Sequence, residues 1–130
     1  MERRLVSSGS PYEPIVGFSR AVRVGHHVSV AGTAPIMPDD ADPPPDAYGQ
    51  ARRCFEIVVA ALQEADAGAE HVVRTRVYLV RAEDWEDVAR AHGEVFGDAR
   101  PANAMIVVKG FLDPRWLLEV EVDAVVSDGT

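Results

Sequence analysis

Leu118-Glu-Val-Glu-Val-Asp-Ala124 alternates without a break: Leu118, Val120, Val122 and Ala124 fall on one side of an extended chain, and Glu119, Glu121 and Asp123 on the other. Val126 continues the apolar row, so the stretch from Leu117 to Ser127 predicts a strand with one face in a core and one turned outward. A turn around Asp113-Pro114 separates it from an earlier strand at about Asn103 to Lys109, and Pro101 interrupts before that. Val72 to Val80 repeats the same period, with Val73, Thr75, Val77 and Leu79 on one side and Arg74, Arg76 and Tyr78 on the other.

Two segments have a helical period instead. From Asp46, the residues Ala51, Cys54, Phe55, Val58, Ala61, Leu62 and Ala65 recur at spacings of three and four, one apolar stripe that closes near Asp66-Ala-Gly68. A second helix is expected from about Glu83 to Phe96, its inner face formed by Trp85, Val88, Ala89, Val95 and Phe96. Glu83, Asp84, Glu86 and Asp87 in its first turn suit the positive end of the helix dipole. Nearer the N-terminus, 19 to 24 and 27 to 31 are valine-rich runs joined by Gly25-His26, the pattern of a hairpin. Five of the eleven residues from Pro35 to Pro45 are proline, which predicts a loop with neither strand nor helix.

The order is strand, hairpin, helix, strand, helix, strand, strand. It predicts an α+β single domain spanning 1–130, with a mixed six-stranded sheet and both helices on one face. The other face is then left bare. Alternation read across all strands puts Ser29, Ala31 and Thr33 on it, with Arg74, Arg76 and Tyr78, then Asn103, Met105, Val107 and Lys109, and the three acids of the last strand. Such a mixture is either a solvated sheet surface or a face that meets neighbouring subunits.

Composition narrows the function. A hydrophobic fraction of 47% against 26% charged residues is that of a folded domain rather than a disordered chain. A single cysteine, Cys54, cannot form an internal disulfide, the N-terminus lacks an apolar core of the length a secretory signal needs, and no apolar run nears a membrane span, so the cytoplasm is the expected location and no membrane partner is expected. The net charge of −8 repels a polyanion such as RNA, which favours a small-molecule or protein partner and makes nucleic acid an unfavoured one. His26, His27, His71 and His92 lack the helical spacing with an adjacent acid that a zinc site uses, and no phosphate loop is present, so neither metal nor cofactor is expected. His92 lies near the apolar stripe of its helix, where a structural role is commoner than a catalytic one. Cys54 lies within the first stripe, where a small hydrophobe is needed. The acids Glu119, Glu121 and Asp123 are either the wet side of a strand or, if one is held in a partly dry cleft, a base able to position a water.

Several segments together resemble the RidA/YjgF family. Val28-Ser-Val-Ala-Gly-Thr33 resembles the family's strand ending in Ser-Gly-Gln, Gln50 and the helix after it resemble its first helix, and Val72-Val-Arg-Thr-Arg-Val-Tyr-Leu79 resembles its next strand. Arg100-Pro-Ala-Asn-Ala104 resembles its Pro-Ala-Arg-Ser, and the last strand its Glu-x-Glu-x-x-Ala. Ser7-Ser-Gly-Ser-Pro-Tyr12 with Gly17-Phe-Ser-Arg-Ala-Val22 resembles an arginine-less branch of the superfamily. The resemblance implies a chorismate-mutase-like fold assembled as a homotrimer, with small-molecule clefts between subunits. It implies hydrolysis of 2-imino or enamino acids, in which an arginine binds the substrate carboxylate and a glutamate holds the attacking water.

Carried over residue by residue, Glu119 matches the water-positioning glutamate and Gly32 the backbone turn beside the substrate, while Asn103 stands at the arginine. Loss of that guanidinium should forfeit roughly 1.5–3 kcal/mol of charge-assisted bonding to a carboxylate. Ala31 and Thr33 stand at the family's serine and glutamine, Ala89 at its helix asparagine, Phe18 at its tyrosine and Met105 at its frequent cysteine. Arg20, Arg74 or Arg76 could assist the remaining acid. Arg100 is a poor substitute for the missing arginine, three positions from Asn103 and ahead of a proline. The resulting expectation is a catalytic Glu119 with Phe18, Arg20, Ala31, Gly32, Thr33, Ala89, His92, Asn103 and Met105 around the substrate. The reaction expected is that of a hydrolase, deaminase or tautomerase acting on an imine, enamine or related intermediate. The alternatives are a non-catalytic small-molecule-binding trimer and, less favoured, an endoribonuclease.

Overall fold

The computed structural model describes residues 2–127. Its sheet contains β1 (Arg3–Val6), β2 (Ala21–Val24), β3 (His27–Thr33), β4 (Val72–Leu79), β5 (Ala102–Val107) and β6 (Leu118–Val125) in the spatial order β1-β2-β3-β6-β4-β5. Only β4 and β5 run parallel, as their connection through a helix requires. The turn between β2 and β3 is Gly25-His26 as predicted, and Gly25 takes a φ of 60°, a left-handed value that a Cβ would strain.

Three helices accompany the sheet: the single turn α1 (Glu13–Val16), then α2 (Ala47–Glu64) and α3 (Trp85–Phe96). Asp46 caps α2 by accepting a hydrogen bond from the Gly49 N–H at 3.2 Å, a contact worth about 1 kcal/mol. The whole predicted stripe of α2, from Ala51 to Ala65, is buried against β3, β6 and α3. Phe55, Leu62 and Phe96, with Leu79 and Leu118 from the sheet, are its largest sealed side chains, each contributing about 1.5–3 kcal/mol by leaving water.

Gln50, the one polar side chain buried on α2, closes a three-way latch. It donates to the carbonyls of Pro44 at 2.9 Å and Arg115 at 3.0 Å and accepts from the Leu117 N–H at 2.8 Å. It thereby fixes the entry to β6. The proline-rich loop is irregular except for a single 3-10 turn at Pro38–Asp40, with Asp39 and Asp40 both at positive φ. Arg115 holds it down through Asp40 at 3.1 Å and Asp42 at 3.0 Å.

Both long helices lie on one face of the sheet, and the other is bare, as the pattern predicted. Three details differ. Trp85 is 54% exposed rather than part of the inner face of α3, which is formed by Val88, Ala91, His92 and Phe96. Thr33 is buried on the helix side: from Val30 to Thr33 the strand β3 advances three residues while β6 advances two, and one extra residue turns every later side chain over. A matching irregularity in β4 leaves Val73 outside and Val72 in the core.

The third difference concerns β5. Its register pairs Asn103 with Thr75 and Met105 with Val77, so Asn103, Met105 and Val107 share the helix-side face of β4 rather than the bare one. The residues of β5 that join Arg74, Arg76 and Tyr78 are Ala102, Ala104 and Ile106. Lys109 lies beyond the end of the strand.

Candidate functional site

Strand β6 lies between β3 and β4, which places its three acids near the middle of the bare face. Two of them are engaged. Glu121 accepts from the Tyr78 hydroxyl at 2.7 Å and pairs with Arg76 at 3.4 Å. Asp123 accepts from the Ser29 hydroxyl at 2.9 Å and stands 3.5 Å from Arg76. Ser29, Arg76, Glu121 and Asp123 line an open concavity of about 340 Å³ together with Ala31 and Val22.

Glu119 differs from its neighbours. It takes no hydrogen bond from any described residue, and a side chain at position 32 would begin 3.4 Å from its Oε1, so the glycine there keeps one carboxylate edge open. Burial pushes the Glu119 carboxyl above the usual carboxylate range; Arg20 opposes that shift and Glu121 adds to it. A half-desolvated acid beside an open backbone edge is suited to taking a proton from water or giving one to a nitrogen.

Arg20 arrives from the loop before β2. Its Nη1 donates to the Gly32 carbonyl and to Thr33 Oγ1, both at 3.0 Å, and the Thr33 hydroxyl donates to the Ala31 carbonyl at 2.7 Å. The bulge that buries Thr33 is therefore also what lets Arg20 brace the Gly32 turn. The structure brings Arg20, Ala31, Gly32, Thr33 and Glu119 together, with Phe18 half-buried two residues upstream of Arg20.

Ala89, His92, Asn103 and Met105 belong to a second group on α3 and β5. Asn103 Nδ2 donates to Thr75 Oγ1 at 2.9 Å, and that oxygen lies 2.8 Å from His92 Nε2. The ring of His92 packs against Phe55 and Phe96 at centroid distances of 5.9 and 5.1 Å, and burial pushes its pKa down. Thr75 Oγ1 thus accepts the Asn103 amide N–H and shares a second hydrogen bond with the His92 ring, whose direction follows the imidazole tautomer. Ala89 is half-buried one turn before His92, and Met105 packs at the margin of the core. Within one chain Glu119 lies on the bare face of the sheet, whereas Asn103 and Met105 lie on the helix side, where Thr33 is buried too. Arg100 is exposed, at a φ of 52°.

Sequence reasoning missed Thr75 as the hub of that relay and Gln50 as a latch. Each is a polar residue inside an otherwise apolar row, and that is the available signal, because a buried polar group requires a partner. Among the described residues no group of three His, Cys, Asp or Glu is placed to hold a metal ion, and no helix is long and apolar enough to cross a membrane.

A mixed six-stranded sheet with two long helices on one face, and on the other a glutamate without a hydrogen bond beside a glycine turn, define the YjgF-type α+β class. Rv2704 of Mycobacterium tuberculosis, described as a member of the YjgF/YER057c/UK114 family, superimposes with a TM-score of 0.88 at 39% identity, over 96% of this chain and 100% of that one. A family profile described as Endoribonuclease L-PSP matches residues 9–126, and the chain belongs to that family, which is also called RidA/YjgF. An uncharacterized protein of Streptomyces coelicolor, SCO2049, is 45% identical over 93% of this chain and 90% of its own length. A RutC family protein of Pyrococcus abyssi is 31% identical over 95% and 98%.

Proposed function

We propose that this chain acts on a small imine, enamine or related reactive intermediate as a hydrolase, deaminase or tautomerase. The cleft would be completed by neighbouring copies in a homotrimer. The observation that carries the reading is the state of Glu119, open on one edge, half-desolvated and raised above the ordinary carboxylate range. In a hydrolysis, the Glu119 carboxylate takes a proton from water as the oxygen bonds to the C=N carbon. The nitrogen gains protons and leaves as ammonia, and a carbonyl remains. A homotrimer suits the geometry because Asn103 and Met105 face away from Glu119 in their own chain, and only a second copy could supply that group to the same cleft. Phe18 and Met105 would then shape an apolar wall.

Asn103 stands where active relatives are expected to have an arginine, and it is tied to Thr75. A substrate carboxylate has little to gain from it. The test is ammonia release from freshly generated 2-imino acids by the wild type, Asn103→Arg, Glu119→Ala and the double variant, with light scattering to establish three copies. Near-background turnover is expected for the wild type, with a gain in Asn103→Arg that Glu119→Ala removes. Robust wild-type turnover would refute the argument from Asn103, and a protomeric protein in solution would remove the cleft altogether. The engagement of Asn103 also favours a second reading, a binding trimer without turnover, which gains if no imine or enamine in the panel is consumed in a Glu119-dependent way. Ribonuclease action is disfavoured by the net charge of −8.

A further inference from the structure

On the helix side, the N-terminal segment 7–12, the loop 36–40 and α2 line a groove of about 1090 Å³, roomy enough for a small ligand. Its apolar wall is formed by Tyr12, Ile36, Ile57, Ala60, Ala61 and Trp116, and Arg20 is among its polar lining. Arg20 is only 7% exposed, yet both of its hydrogen bonds leave from Nη1. Its Nε and Nη2 take no acceptor among the described residues. No buried side-chain polar atom among those residues lacks a partner, so these two nitrogens are not sealed in, and Arg20 is among the residues that line the groove.

A guanidinium edge of two parallel N–H donors matches the two oxygens of a carboxylate. The nearby anions do not occupy it: Glu13 is held by Ser7 and Ser8, and Glu119 influences Arg20 by charge without a hydrogen bond. Arg53, the other cation of the groove, is already engaged with the Ile36 carbonyl and Glu56. The outer rim carries Asp39, Asp40, Glu56 and Glu64, which would repel a second negative charge projecting outward.

We propose that this groove binds a small amphipathic monocarboxylate, its head on the Nε–Nη2 edge of Arg20 and its apolar body along Ile57, Ala60 and Trp116. The inference does not depend on the chemistry proposed for Glu119, whose failure would leave it standing.

Hexanoate is a suitable probe, with hexanamide and adipate as controls, followed through the two tryptophan indole N–H signals in nitrogen-edited NMR of the full chain. Trp116 lines the groove and Trp85 does not, so hexanoate should shift the first signal and leave the second. Hexanamide and adipate should bind at least tenfold more weakly. Arg20→Lys, which keeps the charge and loses the fork, should weaken hexanoate at least tenfold. Should that buried substitution fail to fold, Ala60→Phe, on the exposed side of α2, decides the matter by filling the groove and abolishing the shift. Hexanamide binding as tightly as hexanoate, an unmoved Trp116 signal, or unchanged affinity in Ala60→Phe would each overturn the proposal.

Discussion

Replacing Gln50 by leucine tests how the fold delivers Glu119. The two side chains are similar in size, so packing against Ala47 and Cys54 is largely kept and the polar latch is what disappears. Three backbone groups lose partners: the carbonyls of Pro44 and Arg115 and the N–H of Leu117, now bonded at 2.9, 3.0 and 2.8 Å. A net loss of about 1 kcal/mol for each bond gives about 3 kcal/mol. Gln50 itself is 2% exposed, but the three residues it serves are only partly buried, so water can reclaim some of these groups while leucine gains burial. The expected destabilisation is therefore about 1–3 kcal/mol, read as a fall in the urea midpoint at unchanged slope and fixed protein concentration, since association shifts apparent stability. Arg115 and Leu117 lie just ahead of Glu119 on β6, so hydrogen exchange of the Leu117 to Val120 amides should also quicken. A loss below about 1 kcal/mol with unchanged exchange would refute the view that Gln50 sets the entry to β6.

Glu119 and Cys54 lead to further outcomes. Because the folded-state pKa of Glu119 is raised, the folded chain binds that proton more tightly than the unfolded one; the stability associated with it is present at pH below the unfolded value near 4.5 and is lost as pH rises through the folded value. Glu119→Gln should therefore melt above the wild type at neutral pH, with the difference closing as pH falls below about 4.5. An equal or lower melting temperature at neutral pH would contradict the desolvation described for this carboxyl. Cys54 is fully buried in α2, and that burial pushes its thiol far up, so it should resist a thiol-specific chromogenic reagent in the native protein and react promptly in denaturant. Fast native labelling would show that α2 opens more readily than its packing indicates.

Much of this protein is legible in its sequence because the signal is local. Period-two alternation places Leu118 to Ala124 with a dry and a wet side whatever they pair with, and the stripe from Ala51 to Ala65 defines the buried face of α2 by spacing alone. Gly25-His26 specifies its own turn, and Glu119 is placed on the outward face by the same alternation. What the tertiary structure decided is how strands are aligned with one another. One extra residue between Val30 and Thr33 buries a threonine expected outside, and the parallel register of β5 on β4 sends Asn103 to Thr75 and the helix side. Neither shift leaves a mark in the local pattern, because side-chain direction alternates with every residue and a slip of one reverses it. The bond from Arg20 to Thr33 is likewise a product of the bulge, which turns the Thr33 hydroxyl to the helix side and within 3.0 Å of Nη1.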